Sequence, residues 1–180
     1  MVFLLFAILD FARIYTAMMS VESAAREAAD YGTALGAERW SAATFTDTVE
    51  EMERRACVAA SDLPDFDWTD TDVDGVIDKG ETCINPGFDW CISLTTGGAC
   101  DKAYPQALDP ANPGTIDCDN RNRIPPCTVT VTMAHEFHLF VPFQIDFFGV
   151  KLGLPVTIDF ERDSTYAMTD IDVASPSPGP

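Results

Sequence analysis

Cations are scarce in this chain. Eleven Lys and Arg stand against 29 Asp and Glu in 180 residues, a formal charge of -18. A surface of that sign repels a phosphate backbone, so nucleic acid is excluded as a partner. Only two histidines are present, His135 and His138. In HEFH they lie three apart on a predicted strand, which points them to opposite faces and is not the i,i+4 pair of a zinc-protease helix. There is no serine elbow, phosphate loop or dinucleotide fingerprint, and the sequence predicts no enzyme. No C-x-x-C pair exists, and neighbouring cysteines lie 8 to 26 positions apart, which argues against thiolate-bound zinc. Mean hydropathy of +0.03 is too low for a multi-span membrane protein. A hydrophobic content of 47% is too high for a disordered chain of this charge. What remains is one acidic globular domain with an appended segment.

The apolar excess is concentrated at the N-terminus. Met1 to Leu9 has no polar side chain, and Asp10 and Arg13 are the only charges before Glu22. That run is half of the roughly 20 residues needed to cross a bilayer. Continued through Phe11, Ile14, Tyr15, Ala17, Met18 and Met19 it reaches that length, provided Asp10 and Arg13 neutralise one another at i,i+3. The pattern predicts a helix in a membrane or a filament core. A cleavable signal would need a basic n-region and a small-x-small site, and the missing n-region predicts a natural start upstream of Met1. From Ser20 to Trp40 there is no Pro and much Ala, Glu and Arg, so one helix of about 35 residues is predicted. Ala12, Thr16, Ser20, Ala24, Ala28, Gly32 and Gly36 form an i,i+4 row of small residues along it, with Ala25, Ala29, Thr33 and Ala37 beside them. Such a row lets helix backbones approach closely, so it predicts packing against copies of itself or partner helices; helix propensity alone is the simpler account.

A second helix is predicted over 46–60, with Thr46 as N-cap, Asp47, Glu50 and Glu51 near its positive end, and Arg54 and Arg55 toward the other. Val49, Met52, Ala56 and Ala59 give it one apolar face. From Ser61 to Pro126, Pro, Gly, Asp and Asn punctuate the chain and no apolar periodicity survives long enough for a helix. Cys83, Cys91, Cys100, Cys118 and Cys127 fall in or beside this stretch, and Cys57 precedes it. Six cysteines in a loop-rich region imply up to three disulfides in an oxidising compartment, with fifteen pairings open. CISLTTGGAC reads as a hairpin turning at Gly97 and Gly98, which favours Cys91 with Cys100; Cys118 with Cys127 is the next local pair.

One motif here has specific chemistry. In DTDVDGVIDKGE, counted from Asp70, carboxylates stand at positions 1, 3, 5, 9 and 12 (Asp70, Asp72, Asp74, Asp78 and Glu81), Gly75 at 6 and an apolar Ile77 at 8. This is the EF-hand calcium-loop spacing. A hard cation wants six to eight oxygens; three short carboxylates reach inward, Gly75 permits the sharp turn, Val76 offers its backbone carbonyl, Asp78 a direct or water-mediated contact, and Glu81 two oxygens. The alternative is a solvated acidic loop, since ten acids face Lys79 alone between Asp62 and Asp101. Pro64, Pro86 and Gly87 oppose two flanking helices, so the spacing predicts a structural Ca2+ site in an extracellular module.

In the last third, TVTVT at Thr128 to Thr132, an apolar run from Phe137 to Phe148, and Val156 to Phe160 predict two to four strands, packed on the second helix or on the exposed end of the first. The fold class is α+β: an N-terminal helix at 1–40, a head at 41–172 comprising the helix at 46–60, the disulfide and calcium region at 61–126 and a small antiparallel sheet at 127–170, and a flexible tail at 173–180.

LLFAILDFARIYTAMMSVESAAREAADYG resembles the TadE-like and TadG-like proteins of tight-adherence pili. Asp10, Phe11 and Arg13 match an acidic residue followed by an aromatic and an Arg, and Ala24, Ala25, Arg26, Glu27 and Ala28 match an Ala-Ala-Arg-Glu block. The resemblance covers about 35 residues. It implies a pilin-like, membrane-anchored minor pilin or assembly factor at the cell surface, whose partners are the membrane, copies of itself and other pilus subunits. A single-pass, calcium-binding accessory subunit of another membrane complex, or an extracellular adhesin head, would use the same features.

Overall fold

The computed structural model describes residues 2–34, 40, 44–93, 127–139, 144–147, 150–153 and 156–168. Helix α1 runs from Val2 to Thr33, 32 residues. It stops short of the predicted Trp40, and the side chain of its last residue bonds back into it. Thr33 Oγ1 donates to the carbonyls of Ala29 and Asp30, at 3.0 Å each, and Ala34 N–H returns to Asp30 O at 3.0 Å. Trp40 serves the same helix end from outside: its buried indole N–H donates to Gly32 O at 2.8 Å, satisfying a carbonyl that the helix leaves unpaired.

No helix among the described residues is long and apolar enough to cross a membrane, which corrects the membrane-spanning expectation for this segment. The pair Asp10 and Arg13, 3.5 Å apart, is followed within three turns by the ion pair of Glu22 and Arg26, so the apolar stretch is interrupted before it reaches spanning length. The helix instead has two halves. Leu5, Ile8, Leu9, Phe11, Tyr15 and Met19 are each at least 51% exposed, whereas Ala17, Val21, Ala24, Ala25, Ala28 and Ala29 are fully buried.

The small-residue row divides the same way. Ala24, Ala28 and Gly32 are buried in this chain's own core, so that part of the row is occupied intramolecularly and not by a helix of another chain. A Cβ at Gly32 would lie 2.8 Å from Met52 Sδ and 3.3 Å from Val129 Cγ1. Ala12 and Thr16 remain exposed, Ser20 is half-buried, and Gly36 lies outside the described residues.

Helix α2, Phe45–Ala60, packs beside α1. Its N-cap is Thr44, not the predicted Thr46; no side-chain cap bond forms there, and Thr44 O instead accepts from Thr48 N–H and Oγ1. Met52, Ala56 and Ala60 are buried along one stripe. On the opposite side Glu51 accepts two bonds from Arg54 at 2.8 Å and one from Arg55 at 2.9 Å. Arg55 also reaches Glu27 at 3.1 Å and lies 4.4 Å from the Tyr31 ring centre, tying the two helices together.

Helix α1 carries an antiparallel sheet. Strands β1 (Asp67–Trp68) and β2 (Cys83–Asn85) form a short ribbon. Strand β3 (Gly87–Ser93), β4 (Thr128–His138) and, after the separate hairpin of β5 (Gln144–Phe147) and β6 (Val150–Gly153), β7 (Thr157–Ala167) form the main sheet in the order β3-β4-β7. Four strands in the last third meet the upper end of the prediction. Strand β3 extends the first arm of the hairpin expected at Cys91 to Cys100 back to Gly87, and the rest of that hairpin lies outside the described residues. The sheet lies on α1, through β4 and β7. Along β4, Val129, Val131, Met133, His135 and Phe137 point into the core, and Thr130 and Thr132 point outward to Thr165 and Asp163. Trp90 of β3 packs on Trp40, ring centres 5.3 Å apart.

A disulfide joins Cys57 of α2 to Cys83 of β2, with Cα atoms 5.7 Å apart. Cys91 and Cys127 are also disulfide-bonded, and no free cysteine occurs among the described residues. Cys100 and Cys118, and with them the two predicted local pairings, lie outside the described residues, as does the tail at 173–180.

Candidate metal centre

The acidic loop leaves β1 and returns to β2, so both of its ends start from a closed base. Thr69 N–H donates to Thr82 O at 2.9 Å and Thr82 N–H to Thr69 Oγ1 at 2.9 Å, one residue before the Cys57–Cys83 bridge. Within the loop the carboxylates organise the backbone. Asp70 accepts from Val73 N–H at 2.6 Å through one oxygen and from Gly75 N–H at 3.1 Å through the other; Asp74 accepts from Val76 N–H at 2.7 Å. These bonds curl the chain so that carboxylate oxygens of Asp70, Asp72 and Asp74 come within 4.8 Å of one another. Gly75 sits at φ +77°, the left-handed region expected of the turn glycine, and Val73 at φ +62°.

The remaining predicted ligands are arranged differently. Asp78 and Glu81 stand outside that trio. Glu81 is buried, one oxygen accepting from Thr71 N–H at 2.7 Å and Thr71 Oγ1 at 3.0 Å, the other from Asp78 N–H at 2.9 Å. The Asp78 and Thr71 backbone donors hold its carboxyl below the usual carboxylate range. Asp72 is pushed the other way, first by desolvation and then by the charge of Asp74. Val76 is exposed, with its N–H turned to Asp74. Lys79, the sole cation of the stretch, reaches across to Asp47 of α2 at 2.6 Å.

A group that the sequence reading missed closes the far side of this excursion. Asn85, Asp65, His135 and His138 meet where β2 ends against β4. Nothing in the spacing of an Asn before Pro86 and a His 50 residues later announces it, since the two are joined only by sheet register.

A family model for TadE-like proteins matches residues 1–30, all but the first of which lie in α1, and the resemblance read in that segment is borne out there. No curated protein and no solved structure matches the chain.

Proposed function

We propose that this chain is a pilin-like structural subunit of a tight-adherence-type pilus or related surface filament, with a head stabilised by calcium and no catalytic role. The observation that carries this reading is the coincidence of the TadE-like match at residues 1–30 with a helix whose first half is apolar and exposed. Leu5, Ile8, Leu9, Phe11 and Tyr15 are each at least half exposed on one helix, and an apolar face of this kind marks an interaction surface. Ala12 and Thr16, with Leu9, Arg13, Asp62, Leu63 and Pro64, line a groove of about 450 Å³ beside that face. The disulfides fit an exported head in an oxidising compartment.

Calcium completes the reading. Asp70, Asp72 and Asp74 already converge; Val76 would add its carbonyl, Asp78 a direct or water-mediated oxygen, and Glu81 the lone pairs that its backbone donors leave free.

The assembly is tested by Phe11→Glu, at a residue 72% exposed. Sheared and sedimented material from the wild type should contain polymer of this chain, and the variant should lose it while the head melts as before. Normal polymer from Phe11→Glu would overturn the filament reading, and a fixed complex with foreign subunits would favour the accessory-subunit reading instead.

A further inference from the structure

The strand ladder between β3 and β4 does not stop at its last residue pair, Gly87 with Ala134. Beyond it the side-chain amide of Asn85 stands in for a further strand residue: Nδ2 donates to Glu136 O at 3.1 Å, and Oδ1 accepts from Glu136 N–H at 3.1 Å. The same Nδ2 donates to Asp65 O at 2.8 Å, and His138 N–H donates to Asp65 Oδ2 at 3.3 Å. Residues 65 and 85 are the two ends of the excursion that contains the acidic loop, so one side chain fastens both of them to β4.

The fourth bond of the Asn85 side chain decides the state of a buried imidazole. His135 is 1% exposed, and its Nδ1 lies 2.9 Å from Asn85 Oδ1. Both amide protons of Asn85 are committed to carbonyls, which identifies its other atom as the oxygen. An amide oxygen only accepts, so His135 must carry its proton on Nδ1. Its Nε2 is then an unprotonated nitrogen, and among the described residues it has no hydrogen-bond partner. The ring is flanked by Phe160 and Phe137, with centres 5.3 and 6.4 Å away.

We propose that the His135–Asn85 node is a proton-operated latch, which holds the 65–85 excursion on the sheet while His135 is neutral and releases it when Nε2 takes up a proton. A proton there creates a charged N–H with no acceptor between two phenyl rings, and the ring must move to find one, withdrawing Nδ1 from Asn85. The charged neighbours do not compensate. Asp65 favours the charged ring and His138 opposes it, while burial, the largest influence, holds the pKa below its ordinary value. From α1, Arg13 lies over Phe137 at 5.1 Å with Asp10 beside it, a pair already neutralised. On β7, Asp159 and Glu161 flank Phe160 but alternate to the other face of the strand. The Cys57–Cys83 bridge keeps the excursion tethered to α2, so release is local.

The test uses the full chain. Nitrogen-15 spectra of the histidines should give an Nδ1–H tautomer at His135 near neutral pH and protonation only below the ordinary value, with the Glu136 amide shifting along the same curve. Between about pH 7.5 and pH 5 the melting midpoint of the wild type should fall by about 3 °C or more, with proteolysis within 65–85 rising over the same range. His135→Gln should flatten both responses, and His138→Gln should keep them. An Nε2–H tautomer, a Glu136 amide that ignores the titration, or an unchanged pH response in His135→Gln would overturn the latch. If His135→Gln does not fold, the wild-type spectra decide alone.

Discussion

Gly32 occupies a place where no side chain fits without movement, because α1 and α2 meet over Met52 there. Substitution by Ala brings about 1 kcal/mol of helix propensity against a contact that the flexible Met52 thioether can relax, so Gly32→Ala should change stability little. Gly32→Leu should cost about 1 to 3 kcal/mol by overpacking, measured by denaturant melting of the head. A wild-type midpoint for the Leu variant would remove Gly32 from the core. Val73 illustrates the opposite case. It is a β-branched residue in the left-handed region, 84% exposed, with no packing to lose. Asn tolerates that backbone better, so Val73→Asn should stabilise the head by about 1 kcal/mol. A loss of stability would mean that the Val73 side chain has a contact in solution.

At the scale of elements, the β1–loop–β2 excursion is held by two ladder pairs, the Thr69–Thr82 bonds, the Cys57–Cys83 bridge, the Lys79–Asp47 pair and the Asn85 node, and between them only by its own carboxylates. The trio of Asp70, Asp72 and Asp74 places like charges together, which a divalent cation relieves. If calcium binds the folded loop alone, stabilisation follows mass action, about 2.7 kcal/mol at a hundredfold excess over Kd. The melting midpoint should then rise with calcium and fall with chelator, and Asp72→Asn should blunt the response. Equal midpoints in calcium and chelator, with no metal by elemental analysis, would sink the site and leave a solvated acidic loop. The latch at Asn85 is separable from this test, because His135 touches none of the proposed ligands.

For the whole molecule, acid weakens an ion-pair network on the face of α2. Arg54, hydrogen-bonded to Glu51, together with Arg55 holds the Glu51 carboxyl down to about 2 against the opposing effect of burial, from an ordinary 4.5. A carboxylate with a depressed pKa contributes stability that is present above the ordinary value and lost as pH falls toward the depressed one. Glu51→Gln should therefore be less stable than wild type at neutral pH, and the gap should narrow from about pH 4.5 and close near pH 2. A gap that persists at the acid end would make Glu51 a packing residue instead of an ionic one.

The sequence by itself determined what depends on neighbours along the chain. The helix of 45–60 followed from apolar spacing, the strand at 128–138 from strict alternation, the opposite facing of His135 and His138 from their odd separation, and the TadE-like segment from its residues. The curled trio at Asp70, Asp72 and Asp74 was legible too, since carboxylates two apart bonding to nearby amides are a local matter. Tertiary structure decided the rest. Phe88, Trp90 and Ile92 alternate, but the hairpin expected at Cys91 to Cys100 reached only the end of β3, and the ladder with β4 carries the strand back to Gly87. The small-residue row of α1 was equally suited to a foreign helix or to α2, and only the path of the chain brought Met52 and Val129 against Gly32. Spacing also left open which residue would end α1, and Trp40, returning from outside the helix, took the Gly32 carbonyl. The His135–Asn85 pair is the extreme case: side chains 50 residues apart acquire a defined tautomer only because β2 ends beside β4, and hydrogen-bond partners of that kind exist in no stretch of sequence.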